Sequence, residues 1–119
     1  MGQAPQEHSV DEHFAGKAPA VRALYNRLLA TVRKLGSVHE EAKKTCIHLV
    51  RSSALAGVEV RKNYLLVNIK TDSAITNPRI EKTEQISARR FHHKLKLSVL
   101  GDIDKELQNW LKCAYELSA

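Results

Sequence analysis

The sequence contains few of the residues that mark specialised classes of protein. Its two cysteines, Cys46 and Cys113, are far apart and lack a Cys-x-x-Cys spacing, which favours neither a disulfide framework nor a zinc site. The five glycines are dispersed, so no glycine-rich phosphate loop is present. A membrane-spanning helix needs about 20 consecutive apolar residues, and no apolar run in this sequence approaches that length. Disulfide-rich, zinc-binding, P-loop and membrane-spanning proteins are therefore disfavoured.

Aromatic residues are also scarce, at 5% of the chain, whereas hydrophobic residues make up 43% and charged residues 27%. This composition is typical of a globular protein with an aliphatic core. A chain of 119 residues is long enough for one core. We expect residues 1–8 to be a disordered tail and residues 9–119 to form a single α+β domain. The N-terminus lacks the apolar segment of a secretory signal, so we expect a cytoplasmic location.

The most informative stretch is residues 89–100. The side chains of Phe91, His93, Leu95, Leu97 and Val99 alternate with those of Arg90, His92, Lys94, Lys96 and Ser98. Successive side chains of a strand point to opposite faces of the sheet. The alternation therefore predicts an antiparallel strand with one apolar face and one basic face.

Hydrophobic spacing predicts the other regular elements. Helices are predicted at residues 10–15, 19–36 and 103–117, and strands at residues 44–50, 55–61, 64–70 and 89–100. Trp110 lies on the apolar side of the last helix, and we expect it to be the main anchor of that helix on the sheet. The fold class is α+β: an antiparallel sheet of three to five strands, with N-terminal helices and a C-terminal helix packed on one side.

Two segments are harder to interpret. Ser37-Val38-His39-Glu40 matches a capping box and predicts a turn or short helix through about Lys43. Residues 71–88 have no clear period, and Asn77-Pro78 interrupts them. That segment is interpreted as a lid, a short helix or an edge strand, and the three alternatives stay open.

Candidate catalytic and metal-binding residues are few. Cys46 and His48 share one strand face, where a Cys-His pair can form an activated thiolate, but no orienting carboxylate accompanies them. His92 and His93 point to opposite faces, so they do not chelate one ion together. We expect His93 to be a core histidine. We predict no catalytic residues, no metal site and no cofactor.

The basic strand provides the main candidate for binding. Lys and Arg number 19 against 13 Asp and Glu, a net charge of +6, which favours anionic partners and also solubility. The candidate anion-binding residues are Arg90, His92, Lys94 and Lys96, extended by Arg61 and Lys70 from neighbouring strands, with Arg89 as a further possibility. Tyr64 is the one aromatic residue expected near them, so base stacking has little support. The competing explanation is that the cations protect an outer strand from aggregation.

The order of elements resembles a family of small uncharacterised bacterial domains, sometimes labelled predicted transport proteins. The residues that carry the resemblance are Val10-Asp-Glu-His-Phe with Gly16-Lys17, Lys82-Thr-Glu-Gln-Ile-Ser-Ala-Arg, and Asp102-Ile-Asp-Lys-Glu-Leu leading to Trp110 and Ala114-Tyr115. The resemblance implies the fold and leaves the function open. A more distant likeness to YdhG-like and frataxin-like α+β domains would imply iron handling, but this chain lacks an acidic helix ridge.

We therefore expect a non-enzymatic binding module for an anionic partner, either nucleic acid or another polyanion. The alternative is a protein–protein interaction or homodimerisation module that uses a sheet edge or the Tyr115 side of the last helix. A small-ligand or enzymatic domain comes third, with a pocket lined by His48, Tyr64 or His92. No membrane partner is expected.

Overall fold

A computed structural model describes residues 8–119 of the chain, so all but the last residue of the predicted disordered tail lies outside the described part. The helices are α1 (Val10–Phe14), α2 (Pro19–Arg33) and α3 (Lys105–Leu117), with a short 3-10 helix at Leu100–Asp102. The strands are β1 (His39–Ala42), β2 (Ile47–Val50), β3 (Ala54–Val60), β4 (Leu65–Thr71), β5 (Ile80–Ser87) and β6 (Arg90–Leu97).

Within residues 8–119 the strands form one six-stranded antiparallel sheet in the order β1-β2-β3-β4-β6-β5. The predicted α+β class is confirmed, but the predicted number of three to five strands is wrong. The additional strands are β1 and β5, which occupy the two segments that the sequence pattern left unclear. Both are edge strands, so each pairs on one side only.

The capping-box interpretation of residues 37–43 is wrong because Glu40 has a different partner. Instead of capping a helix, its carboxylate accepts a hydrogen bond from the Tyr25 hydroxyl of α2. Val38 is buried, and β1 pairs with β2 from His39 to Ala42. Tertiary contacts therefore override a short local motif, whereas the Ser9–Glu12 capping box at the start of α1 does form.

One face of the sheet is covered by α2 and α3. On this face, paired residues of neighbouring strands form continuous apolar rows. One such row consists of Ile47, Val58, Val67 and Leu95. All four side chains are fully buried and belong to the core, together with Leu24 and Leu28 of α2 and Leu107 and Leu111 of α3. We call this side of the sheet the covered face.

Residues 71–88 are an edge strand preceded by an anchored loop, rather than a lid or a helix. The Arg79 guanidinium donates hydrogen bonds to Asp104 at 2.9 and 3.1 Å, to Glu106 at 3.2 Å and to the Asp102 carbonyl at 2.6 Å. It also lies 5.8 Å from the centre of the Trp110 ring, within cation–π range. These bonds tie the loop to the start of α3.

The last helix begins two residues later than the pattern predicts. Asp104 is its N-cap and accepts from the Leu107 amide at 3.0 Å. Asp102 instead accepts from the Ser98 and Val99 amides and closes the turn after β6. Trp110 is half-buried, so Leu107 and Leu111 carry more of the helix packing than expected. No helix in residues 8–119 has the length and apolar character needed to cross a membrane.

Candidate functional site on the open face of the sheet

The sheet face opposite the helices carries most of the candidate binding residues. The strand register aligns His48, Gly57, Asn68, Lys94 and Lys82 in one row, and Lys70, His92 and Glu84 in the next. We call this surface the open face. Its residues include Glu41, His48, Gly57, Glu59, Leu66, Asn68, Lys70, Lys82, Glu84, Arg90, His92, Lys94 and Lys96.

The basic strand β6 lies inside the sheet, between β4 and β5. Its cations therefore do not protect a sheet edge, and the competing explanation for this strand is wrong. Two of the predicted anion-binding residues form ion pairs with the same carboxylate. The Lys94 ammonium lies 3.5 Å from one Glu59 carboxylate oxygen, and the Arg61 guanidinium lies 2.7 Å from the other. These two are the weaker candidates.

Lys70, Arg90, Lys96 and Lys82 form no ion pair with any residue in 8–119. Lys70 donates to the Ser53 hydroxyl at 3.1 Å, and Arg90 donates to the Arg89 carbonyl at 2.8 Å. The Lys96 ammonium lies 4.4 Å from the centre of the Tyr64 ring. Four cations from three strands thus keep donor capacity for a partner.

A depression of about 150 Å³ occupies the middle of the open face. We call it the central hollow. Four of the sheet's strands contribute to its lining, which consists of His48, Ala54, Leu55, Ala56, Gly57, Asn68, Lys70 and His92. A smaller depression of about 60 Å³ adjoins it and shares Asn68 and His92 with it. Of the two predicted pocket residues, His48 lines the central hollow and Tyr64 does not.

Burial perturbs two groups of the central hollow. It lowers the pKa of His92 below its ordinary value, an effect partly offset by the Glu84 carboxylate and reinforced by Lys70. Burial, followed by repulsion from Arg90, also lowers the pKa of Lys70. Both shifts weaken the charged form of a group that has no anionic partner in direct contact. A bound anion would reverse both effects.

The Cys46–His48 pair has the wrong electrostatics for an activated thiolate. Burial and the Glu59 carboxylate raise the pKa of Cys46, so its thiol form is favoured. Burial and the Asp72 carboxylate likewise raise the pKa of Cys113. In the described chain, no three His, Cys, Asp or Glu side chains converge on one point as metal ligands would.

His93 lies on the covered face and is 1% exposed. Its Nδ1 lies 3.0 Å from the Thr83 hydroxyl, and its Nε2 lies 2.9 Å from the Thr71 hydroxyl and 3.3 Å from the Ser73 carbonyl. Both ring nitrogens therefore have partners inside the protein. His93 links β6 to β4, to the edge strand β5 and to the anchored loop.

Sequence reasoning missed Gly57 and Asn68. Both were placed on predicted strands, but neither carries a charge or a reactive group that would single it out. The Lys62-Asn63 hairpin does predict that β3 and β4 pair, and its register places Gly57 opposite Asn68. The pairing of Gly57 with Asn68 could therefore be predicted from the sequence. The depression above Gly57 could not, because it also depends on where β2 and β6 lie.

A larger depression of about 470 Å³ lies between α1, the β1–β2 turn and the end of β3. Its charged lining is mixed, since Glu12 and Glu59 face Lys17, Lys44 and Arg61. His13 is bonded there to the Lys43 carbonyl at 2.7 Å. This depression has no predominant charge, so it indicates no ligand class.

A family model described as a domain of unknown function (DUF5655) matches residues 10–118. This chain belongs to the DUF5655 family. The match confirms the resemblance to a family of uncharacterised domains and covers every helix and strand of the DUF5655 fold described above. No curated protein and no solved structure matches the chain, and the more distant likeness to YdhG-like and frataxin-like domains stays a prediction.

Proposed function

We propose that this DUF5655 domain is a non-enzymatic binding module whose open face binds a polyanion, with nucleic acid as the ligand class that fits best. The observation that carries the proposal is the set of four cations without ion pairs, Lys70, Lys82, Arg90 and Lys96, on a sheet face that the helices leave uncovered. Phosphate groups are the natural partners of such cations.

The arrangement favours contacts with the backbone of a nucleic acid over reading of its bases. The Tyr64 ring lies beside Lys96, which already engages it. Three acidic residues of this face, Glu41, Glu59 and Glu84, limit its total charge. Binding is therefore expected to be weak, strongly dependent on salt and tolerant of sequence.

Fluorescence anisotropy with a labelled single-stranded oligonucleotide tests the proposal. If each of the four cations contacts one phosphate, affinity falls roughly fiftyfold between about 50 and 200 mM salt. The double variant Arg90→Gln/Lys96→Gln removes half of those contacts. Its affinity is expected to fall roughly sevenfold over the same range.

The matched control is Lys105→Gln/Lys112→Gln, which removes the same charge from exposed positions of α3. It should keep the binding and the salt dependence of the original protein. Absence of binding by the original protein at about 20 mM salt would rule the proposal out. Equal losses in the two double variants would show that net charge, and not the open face, attracts the oligonucleotide.

The edge strand β5 supports a second candidate, homodimerisation by strand pairing. All residues of β5 from Glu81 to Ser87 are exposed, and β5 pairs on one side only. An antiparallel pairing of two copies centred on Thr83 places Lys82 opposite Glu84 of the second copy, and the symmetry provides this pair twice. Such a dimer would join two open faces into one surface. The bulges near both ends of β5 oppose this pairing.

Charge reversal distinguishes dimerisation from edge protection. Light scattering at high protein concentration should show a dimer that Lys82→Glu weakens, because it places like charges opposite each other. The double variant Lys82→Glu/Glu84→Lys restores opposite charges and should restore the dimer. A monomer at every concentration would exclude this candidate and leave polyanion binding unaffected.

A further inference from the structure

The central hollow exists because β3 has no side chain at its floor. Gly57 lies directly between His48 of β2 and Asn68 of β4 in the strand register. A Cβ atom built on Gly57 meets nothing closer than the His48 ring, at 3.7 Å, which is an ordinary contact. The fold therefore does not require glycine for packing at this position. The glycine keeps a depression open among polar side chains.

The polar groups around the hollow are mainly hydrogen-bond donors or can become donors. Lys70 and the Asn68 amide donate at any ordinary pH, and the two imidazoles of His48 and His92 donate from both nitrogens when protonated. None of these four side chains forms an ion pair within residues 8–119. The hollow thus presents converging donors over a floor without a side chain.

Charged groups surround the two histidines, except on β3, where Gly57 lies opposite His48. His92 has Lys70 beside it on β4, Glu84 opposite it on β5, and Arg90 and Lys94 on its own strand. His48 has Glu41 opposite it on β1, and Glu41 is engaged by His39 at 3.2 Å and by Lys43 at 3.4 Å. Around His92 the cations outnumber the single carboxylate.

We propose that the central hollow is a binding site for one tetrahedral oxyanion of the phosphate monoester class, held by Lys70, His92, His48 and Asn68 above Gly57. This site rests on the proposed anion-binding function of the open face and gives it a specific position. A depression of about 150 Å³ accommodates such a group, whereas the adjoining depression of about 60 Å³ is smaller and has the Glu84 carboxylate in its lining.

Binding at this site is coupled to protonation of His92. Because burial lowers the pKa of this imidazole, the free hollow has a neutral His92 at neutral pH. A dianion favours the protonated ring, so binding takes up a proton and strengthens as the pH falls below about 6.5. Sulfate is the best probe, since it remains a dianion across this range and its own titration does not interfere.

The experiment is a sulfate titration at about pH 7.5 and about pH 5.5, followed by NMR of the histidine ring protons and by calorimetry in two buffers. When bound sulfate keeps His92 protonated at both pH values, a free pKa below 6.5 predicts that affinity rises at least about tenfold between these conditions. The ring signals of His92 and His48 should shift, and those of His13 should not. A His92→Gln variant should lose most of the pH dependence.

Gly57→Val is the decisive variant because it fills the floor of the hollow without changing any charge. A β-branched side chain suits a strand, so the unfolding midpoint should not fall. Sulfate binding should be lost, while oligonucleotide binding to the open face should persist. The control variant Lys112→Gln changes a residue of α3, and it should alter neither sulfate binding nor oligonucleotide binding.

The outcomes separate this site from the broader proposal. Absence of sulfate binding at about pH 5.5, or unchanged sulfate binding in Gly57→Val, would overturn the site even if the oligonucleotide binds. Sulfate binding without pH dependence would also overturn it, since His92 would then play no part. Binding of sulfate in the hollow without binding of the oligonucleotide would support the oxyanion site and contradict the proposed polyanion binding.

Discussion

His92 and His93 are neighbours in sequence but lie on opposite faces of β6, and they differ in burial and in hydrogen-bond partners. His93, on the covered face, is 1% exposed and has protein partners for both ring nitrogens. His92, on the open face, is half-buried, borders the central hollow and has a lowered pKa. The same residue type is thus structural on one side of the sheet and available for binding on the other.

The difference extends to the two faces as a whole. The covered face satisfies its groups internally, through apolar rows and through hydrogen bonds such as those of His93. The open face retains cations without ion pairs to residues 8–119 and a depression with converging donors. Substitutions on the covered face should therefore affect folding, and those on the open face should affect binding.

The largest effect should come from an apolar residue of β6. Leu95 is fully buried, so Leu95→Ala should lower the free energy of unfolding by about 3 kcal/mol through lost burial and a residual cavity. Its neighbour Lys94 points to the open face, and Lys94→Ala should change that free energy by less than about 0.5 kcal/mol. Urea denaturation measures both. Similar values for the two variants would contradict the assignment of faces.

The buried histidine should come next. His93→Leu removes a ring bonded to the hydroxyls of Thr71 and Thr83, and we expect a loss of about 2 kcal/mol because buried polar groups lose their partners. Hydrogen exchange should show that the β5 amides lose protection, since His93 joins this edge strand to β6. Retained protection of β5 would show that the backbone pairing alone holds the edge.

Trp110 should have an intermediate effect. Truncation of a fully buried Trp to Ala typically lowers the free energy of unfolding by about 3 to 5 kcal/mol. Trp110 is only half-buried, beside Arg79. We therefore expect Trp110→Ala to cost about 2 kcal/mol, measured as a lower thermal midpoint. An unchanged midpoint would show that the ring contributes no packing to the covered face.

The smallest effect should be the pH response of His92. Its pKa is lower in the folded protein than in the unfolded chain, so the unfolded chain binds more protons as the pH falls below about 6.5. Stability should therefore fall on acidification through this window, and His92→Gln should remove part of that fall. NMR titration should place the pKa of His92 below 6.5, and Glu84→Gln should lower it further. An ordinary pKa for His92 would mean that burial of the ring is not significant.

Residue patterns predicted the elements whose apolar spacing is regular. The helix that begins at Pro19, the strands on either side of Lys62-Asn63 and the alternation of β6 all form close to the predicted positions. These elements each bury one face, so their period is visible in the residues themselves. The boundaries differ by a few residues, as at the start of α3.

The two edge strands were not predicted outright, for the opposite reason: β1 was interpreted as a turn or short helix, and an edge strand at β5 was one of three open alternatives. All of β5 except half-buried Ile80 is exposed, and β1 is four residues long with one buried side chain, Ala42. Neither therefore shows an apolar period. Their conformation depends on backbone hydrogen bonds to β6 and β2, which a short exposed segment does not reveal.

The sequence by itself determined the α+β class, the apolar and basic faces of β6, and the assignment of His93 to the core, because each follows from periodicity along one segment. Only the tertiary structure decided that β6 lies inside the sheet, that Glu59 engages Arg61 and Lys94, and that His48, Lys70 and His92 surround Gly57. Those facts depend on which strands are neighbours and in what register, and strand order is a property of long-range pairing that no single segment encodes.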